Sequence, residues 1–381
     1  MALVACIPSS KKTQDEAVAA LNSFAFKFYS ELEAENPGTD RFVSPMSASI
    51  ALSLLTSGSE GATEKELVKA LGFNCDKGGM NEQVAALLDG ILAADSGTTI
   101  EIANSLWASG LIELKDSYVQ DAEKYYKAEV RNVDFASAGA AREINAWVDS
   151  KTHGCIKNII DRPDPDMLLA ILNALYFKGK WAEDFDQARS DRFNAMDGSV
   201  SDIMMMSRTD HYKYAADKDF RMIEIPYGNG NFVMDVLLPV DENPAGFGEA
   251  LAKLDAKEWN SLVGSLQNER VRLSLPKFKM EYDITLDNCL NALGIQKAYT
   301  PKADFSGISK TPLMVSTVRQ KAYVDVTETG TEAAAVTIIA MKATSVGPAY
   351  QPIVFRADRP FVFAIREKST GAILFLGQKV K

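Results

Sequence analysis

Polar and apolar residues alternate along this chain in two rhythms, and the rhythm changes near its middle. Four early segments carry apolar residues at helical spacing: "TQDEAVAALNSFAFKFYSELEAEN", "PMSASIALSLLTSG", "ATEKELVKALGF" and "NEQVAALLDGILAAD". Strand-like alternation or β-rich runs occur in "TTIEIANSLWAS", "LLAILNALYFKGKW", "RMIEIPY", "NFVMDVLLP" and "RVRLSLPKFKMEY". They continue in "KAYVDVTE", "IVFRADRPFVFAIRE" and "ILFLGQKV". Between two of these runs "YGNGNF" reads as a hairpin turn, because Gly and Asn accept positive φ. Helices dominate the first half and strands the second, which predicts an α+β fold rather than a doubly wound α/β one.

One stretch fits neither rhythm comfortably. "TETGTEAAAVTIIAMKATSV" occupies residues 327–346, and its nine residues from Ala333 to Met341 hold no charge, no proline and no glycine. Written at a strand period of two, one face carries Thr331, Ala333, Ala335, Thr337, Ile339 and Met341. The other carries Glu332, Ala334, Val336, Ile338 and Ala340. Side chains are small next to Gly330 and grow larger further along, so the leading end could slide between packed strands against little steric resistance. Gly330 supplies a hinge at low steric cost. The segment reads as an exposed loop that can later become a buried strand.

Composition narrows the setting. The chain has 381 residues, 46% hydrophobic and 24% charged, an ordinary globular balance. It shows no linker-like, low-complexity or repeated segment, so one large domain is expected. A net charge of −10 argues against nucleic acid as a partner, since phosphate binding needs clustered Lys and Arg. No apolar run approaches the roughly 20 residues of a membrane span. Cys6, Cys75, Cys155 and Cys289 are scattered without metal-like spacing and read as free thiols. No Asn-x-Ser/Thr acceptor occurs.

Catalytic chemistry has little to work with. His153 and His211 are the two histidines; His153 has Cys155 two positions on but no further ligand nearby in sequence. G-x-S-x-G, Walker A, H-E-x-x-H and dinucleotide fingerprints are all missing, and pairs such as Asp184/Asp186 read as solvated charges. No enzymatic activity, cofactor or metal is expected. At the N-terminus "LVAC" is similar to a bacterial lipobox. Residues 1–14 are therefore either a clipped lipoprotein tail anchored through Cys6 or a plain apolar tail, with the domain spanning 15–381.

The order of several longer motifs then points to a family. "VTETGTEAAAVT" is similar to the hinge of the serpin reactive-centre loop, and "ADRPFVFAIREKSTGAILFLGQKV" resembles the serpin C-terminal strands. "FVSPMSASIALSLLTSGSEGAT", "INAWVDSKTHGCIKNII", "LNALYFKGKWAEDF", "LSLPKFKMEYDITLDNCLNALGI" and "ADFSGIS" each match a serpin motif in the expected order. The resemblance covers nearly the whole chain.

What it implies is a single α+β domain with three β-sheets, about nine helices and an exposed reactive-centre loop at about 328–348. It implies a suicide-substrate inhibitor of serine proteases, with cysteine proteases as a further class, that is secreted or cell-surface and monomeric; a cytoplasmic location stays open. The protease cuts the loop, and the loop then inserts into the main sheet while the acyl-enzyme persists, strand addition of a kind for which serpins are themselves a standard example. The loop hinge falls on Glu328, Gly330, Thr331, Glu332, Ala333, Ala334, Ala335, Val336 and Thr337. Counting along the family pattern puts the reactive bond at Thr344–Ser345, where a small β-branched side chain suits the shallow pocket of elastase-like enzymes. Lys342 is the alternative scissile residue and would suit a trypsin-like target.

Several positions depart from the family. Thr329 stands where a charge is common, Val336 where Ala is usual and Asp40 where Asn is usual. Gln320 takes the place of a histidine in the cluster that governs sheet opening, here Ser44, Ser47 and Asn173; Gln can donate and accept but does not titrate. Between Gly78 and Leu114 the chain has no Lys or Arg, so no glycosaminoglycan site is expected on that helix. The rival reading is a non-inhibitory serpin, a carrier or chaperone. Bulky, charged or proline hinge residues would mark it, and Thr331, Ala333, Ala335 and Thr337 are none of these.

Overall fold

The computed structural model describes residues 8–95, 98–331 and 351–381. Its first helices are α1 (Pro8–Glu35), α2 (Pro45–Ser57), α3 (Gly61–Leu71), α4 (Lys77–Ala93) and α5 (Asp116–Tyr126). Then come α6 (Ala140–Lys151), α7 (Phe247–Leu251), α8 (Ala256–Gly264) and α9 (Asp287–Ala292). Local chemistry explains their limits. Ser44 is extended and its Oγ accepts the N–H of Ser47, with Pro45 opening α2. Asp76 caps α4 in the same way, and Gly72 ends α3 in the left-handed conformation. α1 starts at Pro8, so it takes in the second half of the segment 1–14.

Fifteen strands form two hydrogen-bonded sheets among the described residues. The first strands are β1 (Arg41–Val43), β2 (Thr99–Ser109), β3 (Ala128–Val133), β4 (Leu169–Lys180) and β5 (Arg189–Asn194). Next are β6 (Val200–Ala216), β7 (Phe220–Tyr227), β8 (Phe232–Pro239), β9 (Gln267–Pro276) and β10 (Phe278–Thr285). The last are β11 (Arg319–Thr327), β12 (Gly330–Thr331), β13 (Ile353–Arg356), β14 (Phe361–Glu367) and β15 (Ile373–Lys379). A six-stranded sheet runs β10-β11-β12-β4-β2-β3. The other runs β1-β15-β14-β8-β7-β6-β9-β13, with β5 on β6.

The second and third of the three expected sheets are thus joined. β6 is the joint: at 17 residues it pairs with β5 over Val200–Met205, with β9 over Met205–Tyr214 and with β7 over Lys213–Ala216. Its sequence, "VSDIMMMSRTDHYKYAA", mixes polar and apolar residues because it changes surroundings along its length. "YGNGNF" makes the β7–β8 hairpin, pairing Tyr227 with Phe232 and holding Gly228 and Gly230 at positive φ.

Period-two alternation divides the six-stranded sheet into two buried faces. Leu106 and Ala108 of β2 belong to the main core, which also takes in α1, α2, α4 and the inner face of the larger sheet. Ala103 and Trp107 face the other way, under α6, where Trp107 meets Trp147 edge-on at 6.2 Å. Tyr323 of β11 packs against this same outer cluster.

Candidate functional site

β12 is two residues long, yet everything around it is built to hold it. It lies antiparallel between β11 and β4, with Thr331 opposite Val326 on one side and Gly179 on the other. Among the described residues β11 and β4 share no register with each other; β12 is what joins them. Thr331 is 2% exposed, and its Oγ1 lies 2.7 Å from the hydroxyl of Tyr227. Burial pushes the Tyr227 phenol well above its ordinary pKa, with the Thr331 contact opposing, so it stays a neutral partner. Trp181 stacks on Tyr227 at 4.4 Å, and its indole N–H donates to the carbonyl of Thr327 at 2.9 Å. The Trp181 backbone N–H donates to Thr329.

Gly330 is required here by both sterics and conformation. Its φ is +146°, and a Cβ would lie 2.2 Å from the carbonyl oxygen of Gly179. Gly330→Ala is therefore expected to push β12 off β4 and to lower stability by about 1–3 kcal/mol, read as a lower denaturant midpoint. A midpoint equal to that of the natural chain would show that β12 carries no strain at this position.

Glu328, just before the turn, forms an ion pair with Lys277 at 2.8 Å and accepts the backbone N–H of Ala188. Partial burial raises its pKa, but the Lys277 and backbone hydrogen bonds outweigh burial and leave it below the ordinary carboxylate value. A carboxylate depressed on folding stabilises the fold above its unfolded pKa, and the contribution is lost as pH falls through the folded value. Lowering the pH from 7 towards 3 is thus expected to weaken the natural chain more than Glu328→Gln. Thermal unfolding across that range checks this; parallel losses in both proteins would contradict it.

Ser44, Ser47, Asn173 and Gln320 meet in one polar network, with a different wiring from a simple side-chain group. Gln320 Nε2 donates to the carbonyl of Ser44 at 2.8 Å, and its Oε1 accepts the Ser44 N–H at 2.9 Å. Ser44 Oγ donates to Leu374 of β15 at 2.8 Å while capping α2. Ser47 Oγ donates to Asn173, which donates in turn to Asn104. Asn104 continues to the carbonyl of Tyr126 at 2.6 Å, and the Tyr126 hydroxyl donates to Asn81 at 2.6 Å. Gln320 and Asn173 therefore sit in one network through α2. Asn104, Tyr126 and Asn81 were not visible as members from sequence.

Among the other sequence-selected positions, Asp40 Oδ1 accepts the backbone N–H groups of Val380 and Lys381. His153 contacts Glu101 at 2.8 Å and Tyr176 at a ring distance of 4.7 Å. The described residues hold no His/Cys/Asp/Glu cluster suited to a metal and no helix able to cross a membrane. Glu332, Ala333, Ala334, Ala335, Val336, Thr337, Lys342, Thr344, Ser345 and Cys6 lie outside the described residues. Trp181, Tyr227 and Lys277 contact Thr327, Thr331 and Glu328 and were missed; the Trp181 that closes "LNALYFKGKW" was the available signal.

The family model described as Serpin (serine protease inhibitor) matches residues 19–381. This chain is a serpin. It is 33% identical to Iripin-2 of Ixodes ricinus over 377 residues, covering 96% of this serpin and 94% of that protein. The structure of the thermophilic serpin tengpin in its native state aligns with a TM-score of 0.87 at 27% identity, covering 100% of this serpin and 96% of that chain. Human thyroxine-binding globulin complexed with thyroxine aligns with a TM-score of 0.86 at 28% identity, covering 97% of this serpin and 99% of that chain. The α+β architecture of this serpin is thus that of the family, whose members are generally protease inhibitors rather than enzymes.

Proposed function

We propose that this serpin inhibits serine proteases by offering the bond Thr344–Ser345 and inserting the cut loop beside β4. One observation carries the reading: Thr331 is already seated as a strand residue, buried against Tyr227 between β11 and β4. A strand continuing in that register would set Ala333 between Phe177 and Val324 and Ala335 between Leu175 and Ala322. Thr337 would fall between Asn173 and Gln320, at the polar network itself. Each inward residue up to that point is small and uncharged, so insertion meets neither bulk nor an unpaired charge. β4 offers partners as far as Leu169, which corresponds to Met341.

Gln320 in place of a histidine makes the network independent of histidine titration. Likeness to thyroxine-binding globulin supports a carrier as the second reading, against which the small hinge residues weigh. The two readings part in one experiment. Incubation with pancreatic elastase is expected to give a complex that survives SDS and a C-terminal fragment beginning at Ser345. Loop cleavage by a protease that escapes should raise the melting temperature strongly. Cleavage with no complex and no stabilisation would favour the carrier.

A further inference from the structure

The outer surface of the sheet formed by β6, β9 and β13 carries a charge opposite to that of the chain. Alternation along β6 exposes Thr209, His211 and Lys213, while Asp210 and Tyr212 turn to the other face. On β9 the exposed set is Asn268, Arg270 and Arg272. The register brings these together: His211 lies opposite Arg270, and Thr209 opposite Arg272, which in turn pairs with Val354 of β13. Val354 is 55% exposed. This face has three cations, an imidazole and an apolar residue, and no carboxylate in these rows. Glu224 of β7, directly opposite Lys213, is buried and already held by Arg366 and Lys368. A basic face on a chain of net charge −10 is not a consequence of composition.

We propose that this face is a docking surface for an acidic patch on the protease that attacks the loop. The proposal rests on the inhibitor reading, because the proposed bond lies upstream of β13 in the chain. From Thr344 to Ile353 is nine residues, so a protease holding Thr344 is tethered within roughly 30 Å of Val354. That distance is within the reach of a protease domain's own surface, and tethering makes the second contact effectively intramolecular. Charge complementarity there accelerates encounter rather than tightening the final trap. Cations spaced around an exposed Val354 fit the mixed polar and apolar surface of a folded protein better than a polyanion, which offers the valine no apolar contact.

Anionic and cationic trypsin share a specificity and differ in surface charge, so they test the idea in a Thr344→Arg background. Lys213→Glu with Arg272→Glu is expected to slow association with anionic trypsin at least tenfold at low salt. Cationic trypsin should change by less than threefold, and stoichiometry with both should be unchanged. Lys65→Glu with Lys69→Glu, on α3, makes the same change in net charge and should leave both rates within twofold. Equal effects of the two double variants would overturn the proposal in favour of a general field. Loss of heparin retention in the first variant with unchanged trypsin rates would assign the face to a polyanion and overturn it as well. If no variant, including the natural chain with elastase, forms an SDS-stable complex, the inhibitor reading fails first and the docking surface with it.

Discussion

Thr331→Arg is expected to turn this serpin from an inhibitor into a substrate that is cut and released. Thr331 is buried between two strands with its hydroxyl on that of Tyr227. An arginine at that position is either an unpaired charge in the sheet, costing several kcal/mol, or it turns to solvent and drags β12 out. Either outcome raises the barrier to insertion, and each 1.4 kcal/mol slows insertion about tenfold against hydrolysis of the acyl-enzyme. The number of inhibitor molecules consumed per protease trapped should rise by roughly tenfold or more. Thr331→Val, which keeps shape and loses only the Tyr227 contact, should stay near the natural stoichiometry. Unchanged stoichiometry in the arginine variant, with its fold intact by circular dichroism, would mean that Thr331 does not lead the inserted strand.

The second large effect concerns which protease is trapped. Thr344→Arg should shift preference from elastase-like to trypsin-like enzymes, because a guanidinium suits an acid-bottomed pocket and not a shallow one. A gain in association rate with trypsin on the order of a hundredfold, with a comparable loss for elastase, is expected. In the natural chain trypsin should cut instead after Lys342, giving a fragment that starts at Ala343. That cut shortens the inserting strand by two residues, roughly 6 to 7 Å, and should let more enzyme escape. If Thr344→Arg leaves elastase inhibition intact and gains nothing with trypsin, the reactive bond lies elsewhere in "IIAMKATSV".

Much of this architecture was legible in the sequence where one physical demand acted alone. β2, β11 and β14 read as strands because each is apolar on a buried face or buried throughout. α2 was legible from its apolar content and from Ser44-Pro45 at its start. β6 was not, since its residues answer to different neighbours at its two ends. Next to Gly330, period two alone put Thr331 on one face with Ala333 and Ala335. The collar that holds it was hidden because Trp181 reaches Thr327 from 146 residues away, and Tyr227 reaches Thr331 from 104. Gln320 lies with Ser44, but its bonds go to the main chain of that residue, where no side-chain inventory would look.

The order of synthesis acquires a meaning from where the last strands lie. β14 sits between β8 and β15, and β15 between β14 and β1, so strands made at the end form the middle of a sheet begun near the start. Arg41 pairs with Gln378, and Ser44 caps α2 while bonding Leu374. A nascent chain emerging from the ribosome therefore cannot close its core until residues 361–379 have left the exit tunnel. By then β11 is already outside, free to pair wrongly with the half-built sheets. A chain that is cut short before Phe361 would lose two buried strands at once, and it should be found in aggregates or degraded rather than as a weak inhibitor.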